Sequence, residues 1–350
     1  MDSSFTNTRI SRLHLVGLIL TLLGLGLFSY FIYEAGIYEI WEGISRLGWG
    51  FALILALYAL KLATRVYAWT LSVEKPYQLS FFNAFRAVMI GESLSAMIPL
   101  GILMSGTAKA IAIRKQVPLV VALSSVAIEN LFYSLATAIL IFGGGVAFLI
   151  NFDPSGGIAA ADYALLAIIP VLVLGGFLMI IYEWRLASWL AEWLYGKGLA
   201  TRVLHEGRGE VKKFEDLILA FYRNEPQRFL PIILLEIAFH ALGIVEVWII
   251  LQAISDFSIN FGAAFLLESL NRIILVVFKL IPFLVGVDEA GARFVTEALA
   301  IGASAGVTLA IIRKARVLFW TGLGILLIAR SGLSWKEVTS QTLETQKAEA

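Results

Sequence analysis

Cysteine is absent from the 350 residues, which excludes thiol catalysis, disulfides and Cys-ligated metals. Histidine is nearly absent: His14, His205 and His240 lie far apart, with no HxxxH or HxH spacing, so no metal site or metal cofactor is expected. Charge is scarce too. Charged residues make up 15% of the chain, where soluble domains carry about 25%. The net charge of +1 leaves no field to draw in nucleic acid. What remains is apolar: 59% of residues are hydrophobic, in stretches long enough to cross a bilayer. The alternation that marks membrane β-barrels is missing. These features describe an all-α integral membrane protein.

The first expected span is about Leu13–Tyr33, with Arg9, Arg12 and His14 at its start and Glu34, Glu39 and Glu42 after it. The positive-inside rule then puts the N-terminus in the cytoplasm. A second span, about Trp49–Leu71, carries Lys61 and Arg65 on one helical face. Two bases at that spacing call either for an anion, such as a lipid phosphate, or for internal Glu partners. The stretch from Phe81 to Ile113 is broken at Pro99-Leu100-Gly101 and again at Ser105-Gly106-Thr107, so it reads as a re-entrant hairpin. Pro118–Ile150 is a long span bearing Glu129 and Asn130, and Tyr163–Tyr182 returns to the cytoplasm.

Glu183–Arg228 carries eight Lys or Arg against seven acids and is expected in the cytoplasm. Trp184, Trp189 and Trp193 belong at the bilayer interface. Val211, Phe214, Ile218 and Phe221 share a stripe, which predicts an amphipathic helix lying on the membrane and ending at Asn224-Glu225-Pro226.

In the second half, a span from Phe229 to Leu251 bears Glu236, His240 and Glu246, and Glu236 and His240 are expected to hydrogen-bond. Phe261–Leu280 places Glu268, Arg272 and Lys279 along one stripe, with Glu268 and Arg272 in the favourable i,i+4 order. Pro282 and Gly286 break the helix before Asp288–Ala300, which carries Glu289, Arg293 and Glu297. The last span, Ala305–Ile328, puts Arg313, Arg316 and Trp320 on one face, with Lys314 about 100° away.

Charge at bilayer depth costs about 2.5–3.5 kcal/mol per residue on insertion scales, so it appears where it is paired or used. Glu92, Lys109 and Glu129 flank one break, and the Asp288–Arg316 charges follow the other. The expected architecture is six full spans plus two re-entrant hairpins (eight spans if both broken segments cross), arranged as an inverted repeat. The domain reading is a membrane half over 1–182, a cytoplasmic linker over 183–228, a second membrane half over 229–330 and a polar cytoplasmic tail over 331–350.

Two motifs carry a resemblance. One is Pro99-Leu100-Gly101, Gly106-Thr107-Ala108-Lys109 and Arg114-Lys115, followed by Glu129. The other is Pro282, Gly286-Val287-Asp288-Glu289-Ala290 and Arg313. From about Arg12 to Arg330 the chain resembles the membrane region of lysylphosphatidylglycerol synthases and its stand-alone, flippase-like relatives. It departs from the pattern at Lys109, at Asn130 and in lacking Gly-Gly doublets at the turns. The resemblance implies movement of a polar-head-group lipid, phospho- or isoprenoid, between leaflets of the cytoplasmic membrane. The soluble aminoacyl-transfer domain of the synthases is expected to be absent, and with it lysyl-lipid synthesis.

The candidate head-group residues are Lys61, Arg65, Lys109, Arg272, Arg313 and Arg316. Glu92, Glu129, Glu268 and Glu289 support them, and Pro99, Gly101, Pro282 and Gly286 are the breaks. No catalytic residue is assigned, since no nucleophile and base stand at a diagnostic spacing. The alternatives are a membrane-embedded lipid-modifying enzyme using Glu129, His240 or Glu289, or a scaffold for a lipid synthase. A homodimer or such a synthase is the protein partner open to the chain.

Overall fold

The computed structural model describes Tyr30, Tyr33 and residues 37–331, apart from 98–100, 153–155, 198–200, 279–280 and 282–283. The first expected span up to Tyr33, Pro99, Lys279, Pro282 and the polar tail therefore lie wholly or largely outside the described residues. Those residues form twelve α-helices and no strand.

The helices are α1 (Ile37–Leu47), α2 (Gly50–Leu71), α3 (Phe81–Met97), α4 (Gly101–Ala112), α5 (Leu119–Asn151) and α6 (Gly156–Ile181). Next come α7 (Leu186–Gly196), α8 (Thr201–Asn224), a 3-10 turn at Pro226–Arg228 and α9 (Phe229–Ile254). The last three are α10 (Phe261–Val277), α11 (Val287–Ala298) and α12 (Ala303–Ser331). Among the described residues, Gly50–Leu71, Leu119–Asn151 and Pro226–Ile254 are long and apolar enough to cross a membrane. The protein is an all-α membrane protein.

The break before α11 falls where the sequence puts it, and the one expected at Pro99 lies outside the described residues. α3 ends at Met97 and α4 begins at Gly101; α10 ends at Val277 and α11 begins at Val287. At 1.5 Å per residue the 12-residue α4 and α11 are each about 18 Å long, short of a hydrocarbon core of about 30 Å. Gly286, with φ at 83°, makes the turn into α11, a left-handed conformation that suits glycine. α10 and α11 pack on each other. Between α3 and α4, a Cβ on Gly91 would sit 2.8 Å from Lys109 Cγ and 3.0 Å from the Ser105 carbonyl oxygen. A bare glycine is what lets these two helices meet. The second expected break, at Ser105-Gly106-Thr107, is not one, because α4 runs through it. Gly106 there serves packing: a Cβ would meet Val126 at 3.3 Å.

The chain folds as two compact units, each drawn from separated stretches of sequence. One comprises residues 1–59, 95–102 and 241–320; the other comprises 60–94, 103–240 and 321–350. In the first unit, the acidic stretch between the first two expected spans forms α1. Ile40, Ile44 and Leu47 recur at helical spacing, and Ile40 packs on Val307 of α12. At Gly306, a Cβ would come within 2.7 Å of the Ala292 backbone, so α11 and α12 touch main chain to main chain.

In the second unit α5 packs against α6 and α8, and α7 packs against α8. The linker helix α8 ends at Asn224 as the sequence predicts, and the C-terminal half of its apolar stripe, Ile218 and Phe221, packs on protein. Phe221 is fully buried with Ala68, Ile128, Phe132 and Ile232, and Ile218 and Tyr222 pack around them. Protein offered the stripe a drier and better-packed partner than lipid head groups would. The exposed aromatic face belongs to α7 and its approach, where Trp184, Trp189 and Trp193 stand out with Leu186 and Leu190. Glu215 of α8 caps α7, accepting the Ala187 N–H at 2.7 Å and the Ser188 N–H at 3.0 Å. Arg228 closes the far end of α2, donating to the carbonyls of Leu71 and Val73 at 2.9 Å each.

Candidate functional site

Each unit holds one buried cluster of ionisable side chains. In the unit built from 60–94, 103–240 and 321–350, α2 turns Lys61 and Arg65 inward. Arg65 Nε donates to Glu129 Oε1 at 2.6 Å, and its two terminal nitrogens donate to Glu92 at 3.1 Å and Asn130 Oδ1 at 3.2 Å. The guanidinium lies 4.4 Å from the centre of the Tyr133 ring. This geometry uses the planar fork of arginine on every side. Lys109 reaches the same Glu92 oxygen at 3.6 Å, so Glu92 bridges two bases. Lys61 Nζ stands 5.1 Å over Phe239. Glu92 is the open end of the cluster: its side chain is 33% exposed, against 2% for Glu129.

Glu236 of α9 belongs to this cluster, and the sequence misjudges it. Instead of pairing with His240, it is fully buried, and neither carboxylate oxygen has a hydrogen-bond partner among the described residues. His240 Nε2 lies 3.1 Å from Thr137 Oγ1 on α5. Helical spacing put the two side chains on one face, but α5 presents a hydroxyl that draws the imidazole away.

In the unit built from 1–59, 95–102 and 241–320, the expected Glu268–Arg272 pair is made, with Arg272 Nε donating to Glu268 Oε1 at 3.1 Å. Arg313 lies 4.0 Å from Glu268 and 4.0 Å from Asp288, between α10 and α11. Glu289 is fully buried and accepts the Gly286 N–H at 2.8 Å, fixing the start of α11. Its other oxygen is ion-paired with Lys314. Lys314, read from the sequence as pointing to a less demanding side of the helix, is therefore the counter-ion of a buried acid. Arg316 pairs with Glu246 and lies 4.3 Å from the Tyr58 ring, which Trp320 also contacts.

Within these two clusters Arg65, Lys109, Arg272, Arg313, Lys314 and Arg316 thus each lie within 4.0 Å of a carboxylate. Of the sequence candidates, Arg65, Lys109, Glu92 and Glu129 are joined in one network, with Lys61 on the same face of α2 as Arg65. Arg272, Arg313 and Glu268 are joined in the other unit. Tyr58, Tyr133 and Asp288 were missed as partners. Their only sequence signal was the presence of a polar or aromatic residue near a break or a base.

The motif residues sit inside these clusters: Lys109 and Glu129 in one, Asp288, Glu289 and Arg313 in the other. The sequence matches the family described as the lysylphosphatidylglycerol synthase TM region over residues 15–324. The chain belongs to that family. No curated protein and no solved structure matches it. Membership makes this a multi-pass membrane protein involved in lipid modification or transport. Within it, the ion-paired clusters are the polar chemistry that spans of this apolar content would otherwise avoid.

Proposed function

We propose that the protein is a flippase-like transporter that moves a lipid with a phosphate-bearing head group between leaflets of the cytoplasmic membrane, without covalent chemistry. The observation that carries this reading is the Arg65–Glu92–Lys109 bridge. Two bases are held by one carboxylate that is itself a third exposed. A lipid phosphate offers the same acceptor geometry as Glu92 and can take its place on both bases. The exchange keeps the bases paired throughout, so the head group's barrier falls without leaving a buried charge alone. Glu129 and Asn130 hold Arg65 in place while Glu92 moves. The short helices α3–α4 and α10–α11 are read as re-entrant hairpins, and no role is assigned to them in bond making.

Liposomes containing the purified protein and a panel of head-group-labelled phospho- and isoprenoid lipids test this directly. At least one phosphate-bearing lipid is expected to cross to the other leaflet faster than in protein-free liposomes. Movement of none, or covalent conversion of a labelled lipid, would overturn the proposal.

The orientation follows from the Lys and Arg content of the linker, with the segment around Lys212 and the C-terminal tail facing the cytoplasm together. The chain has no cysteine, so a single one introduced at Lys212 should escape an impermeant thiol reagent on intact cells. Labelling there before lysis would reverse the topology.

A further inference from the structure

We propose that Glu236 is a proton-binding site, and that its protonation makes the surrounding cluster net cationic, so that a lipid phosphate and a proton are taken up together. This rests on the transporter reading and supplies its energy coupling. Glu236 is fully buried, and no donor among the described residues reaches either oxygen. Yet charged groups are close enough to act on it: Glu129, Arg65 and Lys109.

The titratable groups of this cluster come from four other helices and from α9 itself. Lys61 and Arg65 come from α2, Glu92 from α3, Lys109 from α4, Glu129 and Tyr133 from α5, and His240 from α9 itself. Arg65 is committed to Glu129, Glu92 and Asn130, and His240 to Thr137. A buried carboxylate with no donor is expensive as an anion and much less so as an acid.

Charge counting gives the consequence. Lys61, Arg65 and Lys109 face Glu92, Glu129 and Glu236, with the Thr137-bound His240 counted as neutral. Ionised, the three acids balance the three bases. Glu92 swings off the two bases but still lines the cluster, so with a proton on Glu236 the cluster carries one surplus positive charge, which an anionic phosphate neutralises. When the proton leaves, Glu236 again balances the bases, and the phosphate loses its electrostatic hold. One proton binds one carboxylate oxygen, and no other bond forms or breaks.

Infrared difference spectroscopy of the full-length protein in phosphatidylcholine nanodiscs, stepped from acid to alkaline pH, reads the proton directly. A buried carboxylic-acid carbonyl band should vanish as pH rises and be missing from Glu236→Gln. If the wild-type protein shows no such band, as for a water-bridged and permanently ionised carboxylate, the proposal fails. It also fails if the band persists unchanged in Glu236→Gln.

Binding of fluorescent phosphatidylglycerol in the same nanodiscs reads the coupling. Wild-type affinity should fall by roughly tenfold per pH unit above the titration, as expected for one linked proton, while Glu236→Gln should bind equally at every pH. A wild-type affinity independent of pH would overturn the coupling, even if Glu236→Gln does not fold. Neither readout needs transport, so a failure of lipid movement alone would sink the transporter reading and leave the proton site standing.

Discussion

Replacing Arg65 with alanine is expected to destabilise the protein by about 3–5 kcal/mol, the cost of stripping the partner from a buried ion pair. Glu129 is only 2% exposed and takes its 2.6 Å hydrogen bond from Arg65 Nε. Without the guanidinium, that carboxylate is left among apolar helices, Asn130 loses a donor and Tyr133 loses the cation over its ring. Arg65→Lys should recover only part of the loss, since an ammonium cannot reach Glu129, Glu92 and Asn130 together. Pairing Arg65→Ala with Glu129→Gln should restore a large share, because the double variant has no stranded charge. Thermal unfolding of the wild type, these variants and the Glu129→Gln single variant in detergent decides the matter. Additive losses in the double variant would show that Arg65 and Glu129 do not act as a pair.

The second large effect falls on Lys314, the base the helical wheel sets apart from Arg313. Lys314→Ala should cost about 3–5 kcal/mol, because it strands the fully buried Glu289 and loosens the first turn of α11. Arg313→Ala should cost only about 1 kcal/mol, the centre of the range for single substitutions. Its carboxylate contacts are at 4.0 Å, Glu268 keeps Arg272, and Asp288 sits in the first turn of a helix where negative charge is favoured. If Arg313 lines the lipid path, its variant should be folded and inactive in the liposome assay. A wild-type melting temperature for Lys314→Ala would reject the assignment. So would an Arg313→Ala protein as unstable as Lys314→Ala.

Long apolar runs gave the membrane helices to within a few residues, as at α2, α5 and α9, because every backbone group must bond within its own helix in lipid. The Glu268–Arg272 pair was legible because its partners are four residues apart on one helix. Lys314 and Glu289 are 25 residues apart, and Arg316 and Glu246 are 70 apart. No spacing rule connects them. A helical wheel correctly turned Lys314 away from Arg313, but it could not say what stood on the other side. Glu236 failed for the opposite reason: its neighbour at i+4 was within reach and bonded elsewhere. The stripe on α8 was legible as a stripe, and only packing decides between lipid and protein as its cover.

That stripe bears on how separable the parts of this chain are. By composition, Glu183–Arg228 looks like a tether that could be shortened or exchanged in a chimaera. Phe221 fills the space among Ala68, Ile128, Phe132 and Ile232, and Arg228 ties off the end of α2. Cutting out α8 would expose the flank of α5 and release the exit of α2 together. The most polar stretch of the middle of the chain is thus a keystone of a membrane fold, and a graft from a relative would have to carry its helix and its helical partners as one piece.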